Sequence, residues 1–232
     1  LDVYSSVNRW IPAMSARHVF VTGGTGYIGR PLIRELLSRG HSVRALVRPG
    51  STGKLPAGAV EVVGDALDAA SFAASISPAD TLVHLVGTPH PSPLKAQQFR
   101  EVDLASIRAA VAAVEHSTVR HFVYLSVAHP APVMKAYISA RMEGEALVRG
   151  SGLAATILRP WYVLGPGHRW PYLLVPVYRV LEALPATRER ARRLGLVALD
   201  QMVAALVRAV ENPAQGVRIV EVPEIRDARL NP

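Results

Sequence analysis

Two groups of residues in this 232-residue chain have types and spacings that could do chemistry. The first is a set of four glycines, Gly23, Gly24, Gly26 and Gly29, in the run Thr-Gly-Gly-Thr-Gly-Tyr-Ile-Gly. Gly24, Gly26 and Gly29 fit G-x-G-x-x-G, and Gly23, Gly26 and Gly29 fit G-x-x-G-x-x-G. Glycine at such places lets the chain turn sharply off a strand, come close to a pyrophosphate, and pack the next helix tightly. The helix N-terminus then offers free N–H groups and the positive end of its dipole. That chemistry is dinucleotide binding. The alternative is a tight turn with no ligand, which four glycines in seven residues disfavour. The second group is Ser126, Tyr137 and Arg141. Beside a nicotinamide, a hydroxyl pair at a strand end suggests proton transfer to a carbonyl, with tyrosine as acid or base. A tyrosine titrates near 10 and needs a cation to work at neutral pH. Arg141, four residues after Tyr137, would be one helical turn away. A purely structural tyrosine on a helix is the alternative.

These groups need elements to hold them. Residues 18–22 read as a buried strand, and an apolar-periodic helix follows from Tyr27 to Arg39, closed by Gly40. Further strands are expected at 42–47, 60–63, 81–86, 121–126 and 154–158. Helices are expected at 66–75, 95–115 and 134–149, with loops at 48–54 and at Pro89, Pro91 and Pro93. Strands alternating with helices imply an α/β fold, a doubly wound parallel sheet of the Rossmann type. Its ligand lies beyond the carboxyl ends of the strands. After Pro160 the pattern changes: Trp161, Tyr162, Trp170 and Tyr172 cluster, and a helix is expected over 200–211. We expect one domain over 14–232, in which 161–232 contributes a small lobe on the substrate side. Residues 1–13, before Met14, read as an extension. Trp161, His168, Trp170 and Tyr172 are the candidate substrate pocket.

The second strand bears on cofactor choice. An Asp or Glu about 20 residues past the glycines holds the ribose 2′-OH of NAD. Here that strand ends Ala45-Leu46-Val47-Arg48, and no acid follows until Glu61. Arg48, with Arg44, Ser51 and Lys54 nearby, suits a 2′-phosphate in charge and fork geometry. NADP is therefore favoured, with NAD possible. Asp65 could accept from an adenine amino group or simply cap the next helix. The formal charge is +8, carried mostly by scattered arginines, and no nucleic-acid partner is expected. With no cysteine, thiolate metal sites and disulfides are excluded, and the histidines lack metal-ligand spacing, so no metal is expected. The lack of cysteine and of a long apolar run suits a cytoplasmic protein. The apolar stretch 172–184, followed by Arg188, Arg190, Arg192 and Arg193, could lie on an anionic membrane surface; a lobe helix with a solvated arginine face is the blander reading. Oligomeric state is left open.

The ordered set of Thr22 to Gly29, Gly64-Asp65, His121 to Ser126, and Leu158-Arg159-Pro160 through Gly165-Pro166-Gly167 resembles the short-chain dehydrogenase/reductase superfamily. More narrowly it is similar to the extended and atypical members, the nucleoside-diphosphate-sugar epimerase-like and NmrA-like NAD(P)-binding proteins. The resemblance implies that Gly23, Gly26, Tyr27, Ile28, Gly29, Arg48, Asp65, Ala66, Val86, Gly87 and Pro160 line the cofactor. It also implies that Ser126 and Tyr137 are the catalytic serine and tyrosine. The family's Tyr-x-x-x-Lys is here Tyr137-Ile-Ser-Ala-Arg141, and the asparagine of its long helix is here Asp103. Arginine keeps the charge of lysine but not its shape. The expectation is an oxidoreductase acting on a small apolar carbonyl, enone or quinone. The alternatives are a non-catalytic NADP(H) sensor or quinone-associated accessory protein, and a sugar-nucleotide epimerase or dehydratase.

Overall fold

The computed structural model describes residues 16–166, 184–185 and 187–230. Its centre is a seven-stranded, wholly parallel sheet in the order β3-β2-β1-β4-β5-β6-β9. The strands are β1 (His18–Thr22), β2 (Ser42–Val47), β3 (Val60–Val63), β4 (Thr81–His84), β5 (His121–Leu125), β6 (Ala154–Arg159) and β9 (Val217–Glu221). A second, two-stranded sheet pairs β7 (Tyr162–Leu164) with β8 (Leu196–Ala198). The order reverses between β1 and β4, and a crevice opens there beyond the carboxyl ends of the strands.

Each face of the sheet is covered by helices because its strands are apolar on both sides. On one face lie α1 (Gly29–Ser38) and α5 (Leu199–Glu211). Their apolar stripes put Leu32, Ile33, Leu36, Met202, Leu206 and Val210 against Val19, Val21, Val83 and Val123. Leu32, Ile33, Leu36 and Leu206 are fully buried, and burial of each contributes about 1.5–3 kcal/mol. On the other face lie α2 (Ala105–Val114) and α3 (Lys135–Gly150). There Ile107, Ala110, Val114 and Val148 close over Phe20, Leu82, Phe122 and Ile157, with Phe72 and Ile76 at the side. Two short helices, α4 (Arg188–Arg193) and α6 (Val222–Asp227), complete the described chain.

The expected helix at 66–75 is two 3₁₀ turns, Ala69–Ser71 and Ala73–Ser75, the first capped by the Asp68 carboxylate accepting from the Ala70 N–H. Ser71 Oγ bonds the Asp65 and Asp68 carbonyls there, a local alternative to helical bonding. Within the long helix expected at 95–115, Phe99–Leu104 is a π-helical segment. Such segments widen a helix locally and recur at functional sites. The C-terminal region also departs from a pure lobe. β9 joins the main sheet beside β6, and α5 packs against α1. The Ile219 and Val220 pair provides the apolar content to extend the sheet. Among the described residues no helix is long and apolar enough to cross a membrane. The stretch 172–183, and with it most of the membrane-surface reading, lies outside the described residues.

Candidate functional site

β1 delivers the glycine turn to the crevice, and the four glycines do different work. Gly23 has φ +78°, the left-handed region, and a Cβ there would meet the Leu85 carbonyl carbon at 2.9 Å. Gly24 faces inward, 2.8 Å from Ile33 Cδ1 by the same measure. Gly29 opens α1, and a Cβ there would collide with the Gly23 carbonyl oxygen. Gly26 differs: its Cβ would meet only that same oxygen, at 3.1 Å, and the residue is exposed. The pattern in force is therefore Gly23, Gly26, Gly29, with Gly24 serving the core. The open side of Gly26, at the start of a helix, fits a pyrophosphate.

The ends of β2 and β3 flank this cradle. Arg48 is exposed just past β2 and has no partner among the described residues. Arg44 is not available to a phosphate, since its Nη1 donates to the Ser75 and Ser77 carbonyls at 2.9 and 2.5 Å. Lys54 donates to the Gly50 carbonyl at 3.1 Å. Asp65 accepts the Leu67 N–H on Oδ1 at 2.9 Å, a local turn, and its side chain is exposed. Ala66 beside it is half-buried, as are Val86 and Gly87 past β4.

Tyr27, Ile28, Ser126, Tyr137, Arg141, Pro160 and Trp161 line one cleft of about 170 Å³. His90 and Pro91, from the proline-rich loop, line it too. His90, with φ +48°, was not singled out by sequence; its role there depends on a loop conformation that spacing does not reveal. The Tyr27 hydroxyl lies against Gly165, just past β7, so close that a Cβ on Gly165 would strike it. His168, Trp170 and Tyr172 lie outside the described residues.

Tyr137 is half-buried near the start of α3, its ring 5.0 Å from that of Phe99. The Arg141 guanidinium sits 5.3 Å from the Tyr137 ring centroid and 5.9 Å from that of Tyr124. Arg141 is almost completely buried. Its Nη2 lies 2.7 Å from Oδ1 of Asp103, and its Nη1 donates to the Leu125 carbonyl at 2.9 Å. Burial opposes its charge, but Tyr137, Tyr124 and Asp103 outweigh that, and its pKa is raised. Asp103 projects from the π-helical segment and also accepts from the Thr88 N–H and hydroxyl, at 2.9 and 2.5 Å. Gly87 is needed beside it, because the Arg141 guanidinium occupies the place of a Cβ.

Two further buried groups belong to these surroundings, a satisfied core histidine and a carboxylate that the sequence reading did not single out. His84, at the end of β4, bonds Thr22 Oγ1 at 2.8 Å and Ser106 Oγ at 3.3 Å. Burial, then the nearby Arg141 charge, pushes its pKa down to about 3. It is neutral at pH 7. Glu145, one turn past Arg141, accepts from the Ser126 hydroxyl at 2.7 Å. It also accepts from Arg159 Nε and Nη2 at 2.8 and 2.5 Å, and Arg159 Nη1 reaches Glu221 at 2.9 Å. Burial pushes Glu145 up, yet the bonds from Arg159 and Ser126 hold it below the ordinary carboxylate range. Of its partners only Arg149, 3.6 Å away and one turn on, is a neighbour in sequence; Arg159, Ser126 and His129 are 14, 19 and 16 residues distant. Among the described residues no group of three metal-ligating side chains occurs.

The cradle, the crevice and the cleft together fit a nicotinamide dinucleotide laid across the strand ends. Comparisons with known proteins support a nicotinamide cofactor. Residues 23–170 match a family described as NAD(P)H-binding. The chain is 32% identical over 225 residues to the 3-diazoavenalumate denitrifying reductase of a Streptomyces species, covering 85% of this chain and 73% of that protein. It is 28% identical over 210 residues to the ceramide reductase of Caulobacter vibrioides, covering 90% of this chain and 65% of that protein. The chain thus spans a little under two thirds of the second relative's length. A short-chain dehydrogenase/reductase superfamily protein from Agrobacterium tumefaciens, solved with bound NAD, has the same fold (TM-score 0.64, 21% identity, 88% of this chain and 77% of that one). So does the Bordetella bronchiseptica enzyme WbmH, solved in complex with NAD+ (TM-score 0.66, 21% identity, 88% and 75%). The chain belongs to the NAD(P)H-binding family.

Proposed function

We propose that the protein is an NADP(H)-dependent reductase of a small carbonyl, enone or quinone. The observation that carries this reading is the placing of Tyr137 in the same small cleft as Leu125, Pro160 and Trp161, above the buried Arg141. The nicotinamide, when bound, supplies the hydride. The chain supplies the rest. Gly26 and the start of α1 receive the pyrophosphate, and Arg48 takes the 2′-phosphate. Tyr137 gives its hydroxyl proton to the substrate oxygen, and the fixed positive charge of Arg141 favours the tyrosinate left behind. Trp161 and Pro160 exclude water from the apolar side. The reductase names of the two relatives support a reductive direction. The cysteine-free chain supports a cytoplasmic setting.

The test is NADPH oxidation against a panel of aldehydes, enones, quinones and hydroxyketones, with Tyr137→Phe beside the wild type. General acid catalysis is typically worth about 10²–10⁴-fold, and Tyr137→Phe is expected to lose that much. Full activity in Tyr137→Phe would remove the tyrosine from the mechanism.

One observation favours a second reading, a non-catalytic NADP(H) sensor. Arg141 is tied to Asp103 and to the Leu125 carbonyl, and is not free to reach toward a ribose. On that reading NADPH binds, no member of the panel turns over, and Arg141→Lys gains nothing. The sugar-nucleotide epimerase reading has less behind it, since the likeness to solved structures is one of fold.

A further inference from the structure

A serine hydroxyl has one proton to donate and two lone pairs to accept with. In Ser126 the proton is already committed. Its Oγ lies 2.7 Å from Oε1 of Glu145, and Glu145 is gripped on both oxygens by Arg159. An ionised carboxylate only accepts, so the direction of the Ser126 bond is fixed by chemistry. Arg159 cannot easily turn away, because Glu221 holds its other nitrogen at 2.9 Å. The Ser126 N–H is used as well, donating to the Leu158 carbonyl at 2.8 Å. Ser126 nevertheless lines the cleft with Tyr137. Ser126 is only 3% exposed, and with its proton committed its hydroxyl has only lone pairs left to offer a ligand in that cleft.

We infer that Glu145 is a positioning residue that makes Ser126 an acceptor-only group, so that the cleft selects a substrate carrying a hydroxyl beside its reacting carbonyl. The inference rests on the nicotinamide-reductase reading and narrows its substrate class to hydroxycarbonyl compounds. In that arrangement Tyr137 alone donates to the reacting carbonyl oxygen. The neighbouring hydroxyl donates to Ser126. Ser126 and Tyr137 line the same cleft, so one substrate presents both oxygens there. A carbonyl oxygen set against Ser126 would face lone pairs with lone pairs. Turning the Ser126 hydroxyl round would break its bond to a buried carboxylate, and charged hydrogen bonds are the strong ones.

The test uses two probes that cannot be reduced, cyclohexanol and cyclohexyl methyl ether. Each is titrated into the wild-type protein with and without NADPH, and binding is read by tryptophan fluorescence, since Trp161 lines the cleft. The alcohol is expected to bind about tenfold tighter than the ether or more. In Ser126→Ala, which leaves the Glu145–Arg159 pair intact, the ratio is expected to fall to near one. In Glu145→Gln the serine is released from a charged acceptor and the ratio falls part of the way, while Glu145→Asp keeps more of it. A merely structural role for Glu145 would change both affinities together and leave the ratio alone. A wild-type ratio near one, or a ratio unmoved by Ser126→Ala, overturns the inference. Failure of NADPH to bind would overturn the nicotinamide reading instead, and the titrations without NADPH would still decide the role of Ser126.

Discussion

Arg141 Nη2 and Asp103 Oδ1 lie 2.7 Å apart, with both side chains at most 5% exposed. The pair fastens α3 to the π-helical segment before α2, and through Thr88 to the loop after β4. It stands where the resemblance leads one to expect lysine and asparagine, so both members differ and the charges still balance. Removing one partner from a buried pair costs about 3–5 kcal/mol, because the other charge is stranded. Asp103→Asn should therefore lose roughly that much stability in urea unfolding. The double variant Asp103→Asn/Arg141→Met should lose less than the sum of the two single losses, by roughly 0.5–3 kcal/mol. Simple additivity would show that the two residues act independently.

Arg48 tests the cofactor preference. It is exposed and unengaged among the described residues, so its replacement should leave the fold alone. Arg48→Ala is expected to weaken NADPH binding by roughly 1.5–3 kcal/mol, about tenfold or more, and to leave NADH binding unchanged. Calorimetry with both nucleotides gives the answer. Equal wild-type affinity for the two would count against the assignment.

The glycines separate folding from binding. A Cβ on Gly26 would press only on the Gly23 carbonyl oxygen, at 3.1 Å, whereas one on Gly29 runs into the backbone of the turn. Gly26→Val is expected to abolish the fluorescence enhancement of NADPH at a small cost in thermal stability. Gly29→Ala is expected to lower the melting temperature markedly. If the two variants behave alike, the cradle is not where the phosphates sit.

Acid should act through His84. Its folded pKa is lowered to about 3, against an ordinary value near 6.5. Between those values the unfolded chain binds a proton that the folded chain does not, so stability rises with pH there. Stability from this group is complete above about pH 6.5 and is lost as pH falls toward 3, with a slope of at most about 1.4 kcal/mol per pH unit. His121, lowered to about 4 by burial and by Arg17, acts in the same direction. Urea midpoints measured from pH 7 to pH 4 should fall more steeply for wild type than for His84→Gln. Parallel curves would mean that His84 titrates normally.

The strand–turn–helix at 18–38 was legible because every local signal agreed: β-branched run, glycine spacing, apolar period. The order of elements followed for the same reason. Arg44 shows where such reading stops. On paper it stood with Arg48 as a phosphate ligand, but the turn at Ser75–Ser77 comes back beneath it and takes the guanidinium. Glu145 and Arg159 were invisible as a pair because nothing in the sequence says that α3 and β6 present them to each other. Asp103 was noticed, yet its inward direction depends on the π-helical segment, which no spacing rule announces. β9 was read as part of a lobe, since the sheet edge it fills belongs to β6, some 60 residues earlier.

That long interval matters to a chain made from one end. β6 becomes an interior strand only once β9 pairs with it, residue Ala155 opposite Val217 and Arg159 opposite Glu221. Until then its outer edge offers unpaired N–H and C=O groups and an apolar surface, the kind of edge that recruits other chains. The ribosome must therefore release a partly finished sheet and keep it exposed while the intervening residues emerge. A chain stopped at residue 216 is expected to aggregate and to be cut readily by protease, and one stopped at 230 is not.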